Sequence, residues 1–121
     1  MKMFVLAAPV MLAMLAPVAA HAEDVAAGAA TFRQCTACHT IKPGQAGVAA
    51  PNLYGVVGRK AASTGFAYSS ALKASKLTWD KATLNTFLKA PQKLVPGTRM
   101  VVAISDDTQR ANLIAYLATL K

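Results

Sequence analysis

The chain has 121 residues, with thirteen Lys and Arg against five Asp and Glu, and a formal charge of +8. The length excludes anything larger than one small domain. The charge directs attention to acidic partners, but there is no run of clustered Lys and Arg and no nucleic-acid-binding motif, so nucleic acid is set aside and acidic proteins are favoured.

The 55% hydrophobic content is concentrated at the N-terminus. Met1-Lys2 supplies one positive charge, and residues 3–20 follow without a charged or strongly polar side chain. Ala20-His21-Ala22 comes next, then acidic Glu23-Asp24. This is the n-region, h-region and A-x-A order of a secretory signal. The apolar run is nearly long enough to span a bilayer, which makes an uncleaved anchor the alternative. Pro9 and Pro17, the small residues at positions −3 and −1 and the acidic start beyond favour removal of residues 1–22. The product, residues 23–121, is a single domain of 99 residues with charge +7. So small a core commonly relies on a covalent or metal staple. The cut also removes His21, Met1, Met3, Met11 and Met14, leaving Cys35, Cys38, His39 and Met100 as the only Cys, His and Met side chains.

Residues 24–38 read as a helix with Asp24 as N-cap and a buried stripe of Val25, Gly28/Ala29 and Phe32. From Thr40 to Ala67 the periodicity fails. Five glycines and two prolines, Pro43 and Pro51, mark turns and irregular loop. A loop this long is uncommon in a small domain unless something organises it, and a large buried ligand would do so. Tyr68 to Ala74 reads as a short helix. Thr78 is the expected N-cap of a helix carrying Trp79, Leu84, Phe87 and Leu88, which stops before Pro91. Residues 91–100, PQKLVPGTRM, read as an irregular strap. The last helix starts near Asp106, with Gln109 three residues on, and carries Leu113, Tyr116, Leu117 and Leu120. No segment shows sustained strand alternation, so the fold class is all-α with long loops.

The motif that carries chemistry is Cys35-Thr36-Ala37-Cys38-His39. A redox dithiol would need a strand before it and a βαβ context. Structural zinc needs four ligands, and the processed chain offers three, two of them adjacent. A structural disulfide suits an oxidising compartment. Haem attachment explains more. Two thiols at this spacing match the vinyl groups on one haem edge, and the following imidazole can reach the iron. For the second axial position Met100 is the good candidate. A lone methionine is usually a core gap-filler, but this one lies in VPGTRM, where a strap could close over a flat cofactor. Thioether and imidazole together suit low-spin iron of raised potential. The competing sixth ligand is a lysine, or none.

Beyond this motif the sequence resembles the class I cytochromes c, in the mitochondrial-type and bacterial soluble branch. APNLYGVVGRK, GFAYSSA, LTWDKATL, PGTRM and LIAYL are similar to that family's successive blocks, in order, over nearly all of residues 24–121. The resemblance implies a small class I fold around one covalent haem c. It implies thioether bonds from Cys35 and Cys38, and axial ligation by His39 and Met100. The Pro51 carbonyl would orient His39, Arg59, Tyr68 and Trp79 would meet the haem propionates, and Thr98 would hydrogen-bond near the methionine side. Gly28 and Phe32 would meet Leu113 and Tyr116 where the first and last helices cross.

Two departures stand out. Leu72 and Phe87 replace residues that are often Asn and Tyr in the family, which implies a drier pocket on the methionine side. Ser105-Asp106-Asp107 replaces a usually lysine-rich stretch, leaving Lys93, Arg99, Lys42 and Arg33 as candidates for a basic docking ring. The function implied is a soluble, monomeric, non-enzymatic one-electron carrier in the periplasm, with no stable membrane insertion after signal removal. Its partners would be redox proteins with acidic docking surfaces: a cytochrome bc complex, an oxidase, a reaction centre or a periplasmic dehydrogenase. The alternatives are a haem peroxidase or small-ligand binder with a labile Met100, and a disulfide-stapled interaction domain.

Overall fold

The computed structural model describes residues 1–14 and 23–121. Residues 1–14 are exposed and carry no regular secondary structure. Among the described residues no helix is long and apolar enough to cross a membrane. The expected cleavage site, Ala20-His21-Ala22, lies outside them.

The fold begins at Asp24, whose carboxylate accepts the Ala27 N–H and caps α1 (Val25–Phe32). Gly28 and Phe32 of the expected stripe are buried, whereas Val25 is exposed. The helix does not run to residue 38 as periodicity suggested. It tightens into a 3₁₀ turn at Arg33–Cys35, because the Thr36 hydroxyl takes the Arg33 carbonyl at 2.7 Å and competes with the helical ladder.

Residues 40–67 contain no helix, but their organisation is partly their own. The Asn52 amide donates to the Lys42 carbonyl at 2.7 Å and the Gln45 carbonyl at 2.6 Å, and its oxygen accepts the Tyr54 N–H. Gly55 N–H reaches the Leu120 carbonyl at 2.6 Å and ties the loop to the C-terminus.

Ser69 caps α2 (Ser70–Ser75), slightly later than expected. The cap of α3 (Lys81–Lys89) is Asp80 rather than Thr78. Thr78 is taken by an isolated antiparallel bridge to Lys60, and the Trp79 backbone pairs with Gly58 and Arg59. The expected strap contains one helical turn, α4 (Pro91–Leu94), with Pro91 at a position where its missing N–H costs nothing. Asp106 caps α5 (Asp107–Ala118) through the Gln109 N–H, as the sequence indicated.

The helix pair α1 and α5 packs more extensively than any other. A Cβ on Gly28 would sit 2.0 Å from the Asn112 carbonyl oxygen, so only glycine permits this backbone approach. Phe32 and Tyr116 meet beside it with ring centroids 5.4 Å apart. The buried core continues through Val56, Trp79, Leu84, Phe87, Leu88, Val95 and Ile104 to Leu113, Ile114 and Leu117. Helices enclosing an interior cavity, without a sheet, are what the sequence predicted.

Candidate cofactor site

A largely apolar cavity of about 300 Å³ opens inside this core. Every site residue expected from the sequence lines it: Cys35, Cys38, His39, Pro51, Arg59, Tyr68, Trp79, Thr98 and Met100. The 3₁₀ turn after α1 delivers Cys35 to the wall, and the Cys35 carbonyl accepts the N–H groups of both Cys38 and His39. Cys35 is half-buried and Cys38 exposed. Burial pushes the Cys35 thiol above its ordinary value.

His39 Nδ1 lies 2.7 Å from the Pro51 carbonyl oxygen. A carbonyl can only accept, so Nδ1 carries the proton and Nε2 is the lone-pair nitrogen. Burial pushes the imidazole below its ordinary value; the Pro51 carbonyl opposes this and the Arg59 charge adds to it. The neutral ring is the form that binds a metal.

The bridge between residues 60 and 78 explains why distant residues share a wall. It sets Arg59 beside Trp79, with the Trp79 N–H on the Arg59 carbonyl at 2.8 Å. The Trp79 ring packs 4.8 Å from Phe87. The Arg59 guanidinium donates to the Asn52 carbonyl at 2.9 Å and the Tyr54 carbonyl at 3.3 Å. It retains further N–H donors, since the group has five. The Tyr68 hydroxyl meets the Thr64 hydroxyl and accepts the Thr64 N–H.

Thr98 and Met100 come from the strap after α4. Gln92 donates to the Thr98 carbonyl at 3.3 Å, and Arg99 donates to the Ala67 carbonyl at 2.6 Å. Gly97, at φ +90°, makes the turn between them and α4 in a conformation side chains resist. Val101 and Val102 follow at the cavity's edge and are exposed.

These residues fit haem c. The walls are apolar, a thiol pair sits at one edge, a tautomer-fixed imidazole lines the interior, and a thioether lines the same space. Phe87 also lines the cavity, whereas Leu72 is half-buried outside the lining. Arg99 borders the cavity, while Lys93 borders a separate polar depression with Asn85, Lys89 and Asp107. Arg33 and Lys42 are exposed.

Two residues escaped the sequence reading. Asn52 organises the loop and carries the carbonyl that Arg59 holds. Its signal was available in turn chemistry, since Asn after Pro commonly bonds its own neighbouring backbone. Arg110 is 2% exposed. It stands three residues before Leu113 and seven before Leu117, in register with the buried stripe of α5.

Comparisons with known proteins agree on one family. The family model described as "Cytochrome c" matches residues 25–121. "Cytochrome c2" of Rhodoblastus acidophilus is 47% identical over 102 residues, covering 83% of this chain and 95% of that protein. "Cytochrome c-554" of Methylosinus trichosporium is 42% identical over 119 residues, covering 97% and 90%. Among solved structures, "cytochrome cH from Methylobacterium extorquens" superposes with a TM-score of 0.75 at 47% identity, covering 79% of this chain and 98% of that one.

Proposed function

The chain belongs to the cytochrome c family, the haem c electron carriers of class I fold, and from that premise we propose that it is a soluble periplasmic one-electron carrier with His/Met-ligated iron. Cys35 and Cys38 would hold the haem by thioether bonds, and His39 and Met100 would ligate its iron. Residues 1–22 are a signal removed on export, and the mature protein is a monomer.

The observation that carries this reading is the convergence of all nine expected residues on one apolar cavity, with His39 Nε2 left as the lone-pair nitrogen by the bond to Pro51. The haem supplies a ferric/ferrous couple; the protein supplies the rest. Pro51 holds the imidazole orientation and raises its basicity. Leu84, Phe87, Leu88 and Leu113 exclude water and favour the less charged reduced state. Arg59, Tyr68 and Trp79 place polar groups on the wall for the propionates. With both His39 and Met100 on the iron no position would be left for a substrate, and the described residues hold no second histidine to act as a distal acid or base.

The partners are redox proteins with acidic surfaces. The charge of +7 on residues 23–121 supports this, and steering by it weakens with salt. Electron exchange with a bc complex, oxidase, reaction centre or dehydrogenase should therefore slow as ionic strength rises.

The test is the visible spectrum of the exported protein, ferric and ferrous, with and without carbon monoxide. The carrier reading expects a low-spin ferrous spectrum indifferent to carbon monoxide. Met100→Ala should open the iron and make binding rapid. Rapid binding by the wild type would favour the ligand-binding alternative, and an absent haem band would remove both.

A further inference from the structure

We propose that Arg110 is a positioning residue for Met100: it clamps the returning limb of the strap and so sets how readily the thioether leaves the iron. This rests on the assignment of Met100 as an axial ligand.

A buried guanidinium cannot shed its charge, so it persists only where its donors are matched. Arg110 Nε donates to Asn85 Oδ1 on α3 at 2.9 Å. One Nη1 serves two backbone carbonyls, Ile104 at 2.9 Å and Ser105 at 3.0 Å. Nη2 meets the Asp107 carboxylate. The two carbonyls lie at the end of the limb that leaves Met100.

The position of those carbonyls gives the clamp its consequence. Val101, Val102 and Ala103 are exposed. The next backbone tie after Met100 is the Ile104 N–H on the Leu88 carbonyl, at 2.8 Å. Upstream, Thr98 is held by its N–H on the Val95 carbonyl and by Gln92 on its own carbonyl, and Arg99 by one hydrogen bond to the Ala67 carbonyl. Met100 is thus suspended between two anchored points, and Arg110 with Leu88 makes the downstream one. Removing the guanidinium leaves one backbone bond there and strands two carbonyls without their charged donor. Arg110 stands on α5 and shares that helix with the crossing, but its hydrogen bonds run to α3, to Ile104 and Ser105 and to Asp107, not to α1 or to the His39–Pro51 pair. Lysine does not replace it, because a compact ammonium lacks the fork that reaches α3 and both carbonyls together.

The test uses the haem-loaded full chain with Arg110→Lys, Arg110→Met and Asn85→Ala. Tyr116→Ala serves as a control, weakening the α1–α5 crossing instead. Three quantities are read: the carbon monoxide binding rate of the ferrous protein, the methionine-to-iron absorption band of the ferric protein, and hydrogen exchange of the Ile104 amide. Arg110→Lys should bind carbon monoxide at least about tenfold faster, the factor that ~1.4 kcal/mol supplies. It should also lose band intensity and exchange Ile104 faster. Tyr116→Ala should unfold more easily yet leave carbon monoxide binding unchanged. If Arg110→Met does not fold, Arg110→Lys and the milder Asn85→Ala carry the comparison. Binding rates that follow global stability alike in Arg110→Lys and Tyr116→Ala would overturn the clamp, as would an unchanged Ile104 exchange rate. Should the wild type bind carbon monoxide as fast as Met100→Ala, the ligand assignment fails instead, and the Ile104 exchange still decides whether the limb is clamped.

Discussion

The two regions of the cavity that carry the proposed ligands, His39 and Met100, are held by different means. His39 follows α1 through a single 3₁₀ turn; its amide is bonded to the Cys35 carbonyl at 2.9 Å and its ring to the Pro51 carbonyl at 2.7 Å. That side inherits the rigidity of α1, whose crossing with α5 brings backbone against backbone at Gly28. Met100 lies at the far end of a strap tied down by Gln92, Arg99, Leu88 and Arg110. The ties from Gln92, Arg99 and Arg110 are side-chain hydrogen bonds that a substitution can remove, whereas the tie to Leu88 is backbone to backbone. The histidine side should therefore fail only with the fold, while the methionine side can fail alone. Under the proposed His39 and Met100 ligation, the adjustable part of the site is the strap.

The sharpest way to break this comparison is at the crossing. Gly28→Val places carbon where the Asn112 carbonyl oxygen already stands, 2.0 Å from the new Cβ. The helices must separate, and a loss of about 3 kcal/mol or more in unfolding free energy is expected, the upper range for overpacking. Because α1 leads directly into Cys35 and His39, haem contacts on both sides should disappear in one transition. Denaturant unfolding followed by haem absorbance and by helical signal checks this, with coincident curves expected. Haem contacts on the histidine side that outlast the helical signal would show that the crossing does not govern that side.

A smaller effect sharpens the comparison inside the cavity. Phe87 is 6% exposed and lines the wall, whereas Leu72 lies outside the lining. A tyrosine hydroxyl at position 87 would favour the more charged oxidised state and lower the reduction potential. A net hydrogen-bond contribution of ~0.5–1.5 kcal/mol corresponds to roughly 20–60 mV for one electron. Leu72→Asn should shift it in the same direction by less. Redox titration of the two variants decides this, and an unmoved potential in Phe87→Tyr would contradict the dry-wall account.

What was legible in the sequence follows the same division. The residues that line the cavity were readable because residues 23–121 hold one His and one Met beside two Cys, so the proposed ligand set required little geometry. Asp24 and Asp106 were readable as caps because capping is local. Thr78 was misplaced because the pairing that occupies it comes from Lys60, eighteen residues earlier, and no local pattern reports a single bridge. The helical turn at Pro91–Leu94 was hidden by the habit of reading proline as a stop. Arg110 was passed over because an arginine three residues after an aspartate looks like an exposed helix pair. Only the fold shows that Ile104, Ser105 and Asn85 surround it.

That same pair yields the smallest effect. The Arg110 hydrogen bond, then its charge, then Lys89 hold the Asp107 carboxyl below its ordinary value of 3.8. A carboxyl depressed on folding contributes stability that is complete above its unfolded value and is lost as pH falls through the folded one. The stability difference between wild type and Asp107→Asn should therefore be constant near neutrality and shrink once the pH falls below about 4. Asp107 is 83% exposed, so solvent screens the pair and the difference should be small. Asp80, depressed by its cap bond to Thr83, titrates in the same direction in both proteins and cancels. Unfolding measured across this acid range is the check. At neutral pH the ferric methionine band of Asp107→Asn should match the wild type, because the guanidinium still has Ile104, Ser105 and Asn85 as acceptors. A band lost in Asp107→Asn at neutral pH would mean that the carboxylate itself, not the guanidinium, holds the limb.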